Sequence, residues 1–154
     1  MSLTHFQRKV LALVGRAEVR DWVDLIHCHD HLQPFGYLVW ATCGKDPGLS
    51  PEFIVEQAAR SAHYSKVELD TLAYDGQQPD IANLSQTWRR MLQEAREIIQ
   101  YLPEEKVGSC ILDTTGTLFN ESAMNLQNAI QRNSVHYHQG TICGAWPTII
   151  SPLR

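Results

Sequence analysis

The chain reads as a mainly α protein: a helical bundle with a small C-terminal α+β appendage of short antiparallel strands. Three observations predict this. Apolar residues recur at three- and four-residue spacing through most of the first hundred positions. Gly, Pro and Ser-Pro signals cut that pattern into segments of ordinary helix length. Beyond Pro103 the pattern gives way to short β-type runs separated by turn residues. The expected division is 1–105 as the helical body and 106–154 as an appendage packed on it.

Each element has its own signal. The first helix is expected from Thr4 to Val14, with Phe6, Val10, Leu13 and Val14 on one stripe. Gly15 marks a break. A second helix then runs from about Ala17 to Leu32 and ends before Gln33-Pro34; Trp22, Val23, Leu25 and Ile26 make it apolar on two sides. The short apolar run from Phe35 to Cys43 is read as a helix, followed by the loop Gly44–Gly48. Ser50-Pro51 opens another helix, serine as N-cap and proline at the first helical position, reaching about Ala62. A short segment and the polar loop Tyr74–Pro79 lead to the clearest helix, Asp80 to Leu102. There Ile81, Leu84, Trp88, Met91, Leu92, Ala95, Ile98, Ile99 and Leu102 keep the helical period until Pro103 stops it. Arg90 and Glu94 form an i,i+4 pair on its wet face. Ser109–Leu112 and Thr117–Phe119 read as strands joined by Asp113-Thr114-Thr115-Gly116, then a helix from Glu121 to about Arg132, then Val135–His138 as a third strand.

Size and composition set limits. A chain of 154 residues fits one domain and can bury a real core. A formal charge of −4 and a pI near 5.9 argue against a general binder of nucleic acid or of anionic membranes. No apolar run approaches the roughly 18–20 residues that cross a bilayer, and no signal-peptide pattern is present. The cysteines at 28, 43, 110 and 143 are scattered, which reads as reduced thiols of a cytoplasmic protein.

The most informative stretch is Lys9-Val-Leu-Ala-Leu-Val-Gly-Arg16-Ala-Glu-Val-Arg20-Asp21-Trp-Val-Asp24-Leu25. It sets Lys9, Arg16, Asp21 and Asp24 at fixed offsets along two helical segments. A lysine facing a folded-back aspartate suits phosphoryl or nucleotidyl transfer: the carboxylate orients a nucleophile or helps to hold magnesium, and the lysine neutralises phosphate charge. The plainer reading is a solvated Lys9 beside a surface pair of Arg16 and Asp21.

The pattern Lys9-x2-Ala12-Leu13-x2-Arg16-x3-Arg20-Asp21-x2-Asp24-Leu25 resembles the lysine-plus-aspartate motifs of AbiEii-type nucleotidyltransferases, often toxins of bacterial toxin–antitoxin pairs. The resemblance implies Asp21 and Lys9 as catalytic residues, Lys9 and Arg16 as nucleotide-binding residues, and Arg16 with Asp24 buttressing the corner. It also implies a helical body after the motif, with magnesium and NTP as cofactors. The family's upstream Gly-Ser turn and metal-binding carboxylates are not matched, and only eight residues precede Lys9. The expectation is therefore a C-terminal portion that is inactive alone. An N-terminal domain or a partner chain completes the site, an antitoxin is a candidate partner, and a homodimer is compatible. The alternatives are a non-catalytic binding or oligomerisation module and a metal-dependent hydrolase.

That last alternative rests on His27-Cys28-His29-Asp30-His31. It falls one residue short of the His-x-His-x-Asp-His pattern of metallo-β-lactamase-type hydrolases. On a helix His27 and His31 share a face, but the sequence offers no third ligand, and histidines at a helix C-terminus also favour its dipole. Leu112–Phe119 resembles the nucleophile loop of haloacid-dehalogenase-type phosphotransferases, with Asp113 as nucleophile and Thr115 replacing the acid/base aspartate. No lysine follows it, and the simpler reading is a hairpin turn. His136 and His138 share one strand face.

Overall fold

A computed structural model describes residues 3–139. They form seven α-helices and one two-stranded antiparallel sheet, a mainly α body with a small sheet toward the C-terminus. No helix among the described residues is long and apolar enough to cross a membrane.

The helices are α1 Leu3–Gly15, α2 Val19–His31, α3 Phe35–Thr42, α4 Pro51–Ser61, α5 Lys66–Asp70, α6 Ile81–Tyr101 and α7 Ala123–Gln131; the strands are β1 Ser109–Leu112 and β2 His136–Gln139. Their ends follow local chemistry. Ser50 Oγ accepts from Phe53 N at 3.1 Å with Pro51 in the first turn, so α4 starts where serine and proline require. A capping box opens α5: Ser65 Oγ accepts from Glu68 N, and Glu68 Oε2 accepts from Ser65 N at 2.8 Å. Asp80 caps α6, and the chain leaves helical geometry at Leu102 ahead of Pro103.

The core is built around α3, all eight of whose residues are buried. It packs on α6, α1, α4 and β1, while α2 closes against α1 and α6. Gly36 lets α3 and α6 approach, for a Cβ there would stand 2.8 Å from Ile98 Cβ and 3.0 Å from Ala95 Cα. Trp88, Met91, Leu92, Ala95, Ile98 and Ile99 form the buried stripe of α6.

The C-terminal elements share that core. Cys110, Ile111, Phe119, Ala123 and Leu126 are buried in the same cluster as the helices. Four side chains from the first half of the chain reach distant backbone carbonyls. Gln7 Nε2 donates to Ala41 O at 3.1 Å within the helical body. Gln33 Nε2 donates to Ile111 O at 3.2 Å and Phe119 O at 2.8 Å. The Tyr37 hydroxyl donates to Glu121 O, and Trp40 Nε1 to Lys106 O, each at 2.8 Å. Gly44 and Gly108 (φ +88°) cross closely, and a Cβ on Gly44 would sit 2.4 Å from Gly108 O.

Some expectations shift. Thr117–Phe119 forms a single bridge, Leu112 with Leu118, and no strand: Phe119 N still donates to Ile111 O, but Phe119 O turns to Gln33 and the ladder stops. The strand expected over Val135–His138 lies at His136–Gln139, pairing Leu112 with His136 and Ser109 with Gln139. The break after α1 follows Gly15, but the left-handed residue is Ala17 (φ 53°). Glu94 lies against His29, its Oε2 3.7 Å from Nε2, and Arg90 donates to Thr87 Oγ1. Cys143 lies outside the described residues.

Candidate functional site

The α1–α2 turn decides where the charged motif ends up. Arg16 N and Ala17 N both donate to Ala12 O, closing α1, and Ala17 reverses the chain. The Tyr64 hydroxyl donates to Ala17 O at 2.7 Å, tying the turn to the segment before α5, and its ring stacks at a tilt on Trp22, 5.0 Å between centroids. α2 then runs back along α1, placing Asp21 in its first turn, where the helix dipole favours a carboxylate.

Lys9, Arg16, Asp21 and Asp24 therefore converge. Lys9 Nζ lies 3.2 Å from Asp21 Oδ1 and 2.7 Å from Asp24 Oδ2. Arg16 donates through Nε to Asp21 Oδ2 at 3.1 Å and through Nη2 to Oδ1 at 3.4 Å, a forked contact. Its Nε also stands 3.8 Å from Glu18. Exposure sorts the four: Asp21 has none, Lys9 keeps 17%, Asp24 34% and Arg16 58%. Burial alone would lower the Lys9 ammonium, but hydrogen bonds to Asp24 and Asp21 outweigh it and hold the pKa above the usual lysine value. Arg16 is raised by its bond to Asp21.

Both oxygens of Asp21 are thus engaged, and no part of it meets solvent. It acts first as a pin between α1 and α2, while Arg16 and Asp24 form most of the reachable surface and Lys9 keeps a narrow exposed edge. Asp24, nearer to Lys9 than Asp21 is, holds the ammonium from the outer side. Carboxylates outnumber cations three to two in the set Lys9, Arg16, Glu18, Asp21 and Asp24, so the corner as it stands is not an anion receptor.

The histidine run divides. His29 turns inward: its Nδ1 accepts from Phe35 N at 3.0 Å, satisfying a free amide at the start of α3, and its Nε2 faces Glu94. Burial lowers its pKa, against the pull of Glu94 and Asp30. His27 and His31 turn outward and stack, with centroids 4.0 Å apart and planes 22° from parallel. Cys28 lies buried between them in sequence, its thiol pushed up to about 12 by burial and by Asp24. Among the described residues no group of three or more His, Cys, Asp or Glu is arranged to hold a metal ion.

The Asp113 loop is a side-chain-stapled turn. Oδ1 accepts from Thr115 N (2.8 Å), Thr115 Oγ1 (2.6 Å) and Thr117 N (3.1 Å), and Oδ2 from Thr117 Oγ1. Burial would raise this carboxyl, but these bonds prevail and hold it at about 2. Its lone pairs are spent on the turn. His136 and His138 are exposed on β2.

Sequence reasoning missed Gln33, Tyr37 and Trp40 as ties between the two halves of the chain, and Tyr64 as the clamp on the α1–α2 turn. The Ser65-x-x-Glu68 spacing is the local signal that could have marked the start of α5, and it too was missed. Comparison with protein-family models, with curated proteins and with solved structures finds no match.

Proposed function

We propose that this chain is the helical C-terminal body of a nucleotidyltransferase-like protein, supplying the lysine/aspartate corner of a transfer site that another domain completes. One observation supports it above all: residues 12 positions apart, on separate helices, meet as Lys9–Asp21, with Arg16 and Asp24 around them. In this reading Asp21 is a positioning residue. It fixes Lys9 and Arg16, which face the nucleotide phosphates, and Asp24 is displaced from Lys9 when phosphate arrives. Magnesium is held chiefly by carboxylates of the completing domain, since Asp21 is buried with both oxygens engaged. The chain works in the cytoplasm, where its buried thiols stay reduced. The completing element is an upstream domain or a partner chain, and an antitoxin is a natural regulator of such a site.

The test is transfer of label from α-phosphate-labelled NTPs with magnesium, using this chain produced together with the coding sequence upstream of it and the neighbouring reading frames. Magnesium-dependent transfer is expected, falling roughly 10²–10³-fold in Lys9→Met, the usual effect of removing one charge-stabilising contact. Arg16→Ala, at a mostly exposed side chain, should weaken nucleotide binding while the protein stays folded. Absence of transfer, or transfer indifferent to both substitutions, overturns the proposal.

A second reading, a non-catalytic binding or oligomerisation module, draws on the complete burial of Asp21 and the net negative corner. It predicts no transfer in the same assay and a defined oligomer in sedimentation.

A further inference from the structure

We propose that His27 and His31, on the exposed last turns of α2, form a two-point binding site for a borderline transition-metal cation of the Zn²⁺, Ni²⁺ or Cu²⁺ class. The site is independent of the Lys9–Asp21 corner, and it differs from a hydrolase centre because His29 takes no part.

Four observations carry it. First, the residues are four apart on a regular helix, so their side chains lie one above the other. Their rings stack with centroids 4.0 Å apart and planes 22° from parallel. One tetrahedral ion with bonds of 2.0–2.1 Å spans two nitrogens about 3.3 Å apart with both lone pairs aimed at it. The stack brings the rings within that reach, and His27 turns out of the stack until its ring plane converges on that of His31, which stays hydrogen-bonded.

Second, His31 is held in the tautomer a metal ligand needs. Its Nδ1 lies 2.8 Å from His27 O. A carbonyl only accepts, so Nδ1 carries the proton and donates, leaving the Nε2 lone pair of the neutral ring unprotonated. A ligating histidine that gives its other N–H to a backbone carbonyl is the usual outer-shell arrangement around bound metals.

Third, both rings are exposed, and no hydrogen bond among the described residues takes the ring nitrogens of His27. Fourth, the pair sits at the carbonyl end of α2. Leu32 N caps Cys28 O, and the negative end of the helix dipole favours a cation.

The neighbours define the limits of the site. His29 is committed to Phe35 N and Glu94, Asp24 to Lys9, and the Cys28 thiol is buried and protonated. Two protein nitrogens therefore hold the ion. Water, or donors from a second molecule, take its remaining positions. The borderline-soft ions that prefer imidazole fit this donor set, and magnesium and calcium, which demand oxygen ligands, do not.

The experiment titrates the full chain with ZnCl₂, NiCl₂ and CuCl₂ by calorimetry, with copper electron paramagnetic resonance to count coordinated nitrogens. One ion per chain is expected at this site, with hyperfine structure from two imidazoles and a rise in Tm on adding metal. His27→Ala and His31→Ala should each weaken binding at least tenfold. His136→Ala should leave it unchanged, and MgCl₂ should not compete. Because both side chains are exposed, the variants keep the fold, which circular dichroism verifies. Absence of saturable binding overturns the proposal, and so does an affinity unmoved by both α2 substitutions.

Discussion

Removing Lys9 and Arg16 together should destabilise the protein by more than the sum of the two single losses. Asp21 has no exposed surface, and Lys9 and Arg16 together provide all three of its charge-assisted hydrogen bonds. In Lys9→Met the carboxylate keeps the Arg16 fork and Asp24 re-enters water, so the cost is about 1–2 kcal/mol, near one charged hydrogen bond. In Arg16→Gln it keeps Lys9, and the lost partner was more than half exposed, so the cost is about 1 kcal/mol or less. Only the double variant leaves a buried carboxylate unpaired, a situation that costs about 3–5 kcal/mol. At the middle of these ranges the double costs about 4 kcal/mol against a sum of about 2–2.5, so the coupling between the two sites is expected at about 1–2 kcal/mol. Adding Asp21→Asn to the double variant removes the stranded charge and should restore about 1–2 kcal/mol. The assay is urea unfolding followed by circular dichroism at one pH and salt concentration, with the m-value checked for constancy. Additive single and double costs, or a triple variant no more stable than the double, would refute the placement of Asp21 as a buried anion held by both cations.

Three further outcomes follow from the geometry. Gln33→Met keeps volume but strands the buried carbonyl of Phe119, and should cost about 1–3 kcal/mol in the same assay, while an exposed control such as Gln131→Met changes little. Gly44→Ala pushes a methyl against the carbonyl of Gly108, which is backbone and cannot swing away, and should cost about 1–3 kcal/mol by thermal unfolding. The folded-state pKa of His29 lies below its unfolded value, so the unfolded chain binds its proton first as pH falls. Its contribution is fully present above about pH 6.5 and is lost as pH drops through that value toward the folded pKa. A pH series of Tm should show this slope in the native sequence and a flatter one in His29→Gln.

Local signals carried most of the helical body. Periodicity and the stop at Pro103 gave α6 to within a residue at each end, and Ser50-Pro51 gave the start of α4. These features depend on residues within one or two turns of each other, which is why one sequence shows them. Thr117–Phe119 failed as a strand for a non-local reason: Gln33, more than 80 positions away, takes the carbonyl that a ladder would have used. The charged corner was legible in membership but not in role. Spacing put Lys9 and Asp21 on consecutive helices, yet whether they met depended on Ala17, a residue with no turn preference, adopting a left-handed conformation. Burial of Asp21 and exposure of Arg16 depend on the packing of α1 against α2. Likewise, the opposite directions of His29 and His27 follow from the position of α3, whose first amide claims His29.

The ties from α3 and its leading turn to the C-terminal segment also bear on synthesis. All of α3 is apolar enough to be buried, but its partners at Lys106, Ile111, Phe119 and Glu121 leave the ribosome about 80 residues later, some 4–16 s at ordinary elongation rates. Throughout that interval the face of α3 meant for β1 has only solvent or the helices already made beside it. A nascent chain of this design is most vulnerable to aggregation and to chaperone capture between the completion of α6 and the emergence of Glu121. Slow codons are therefore better tolerated before α6 than after it.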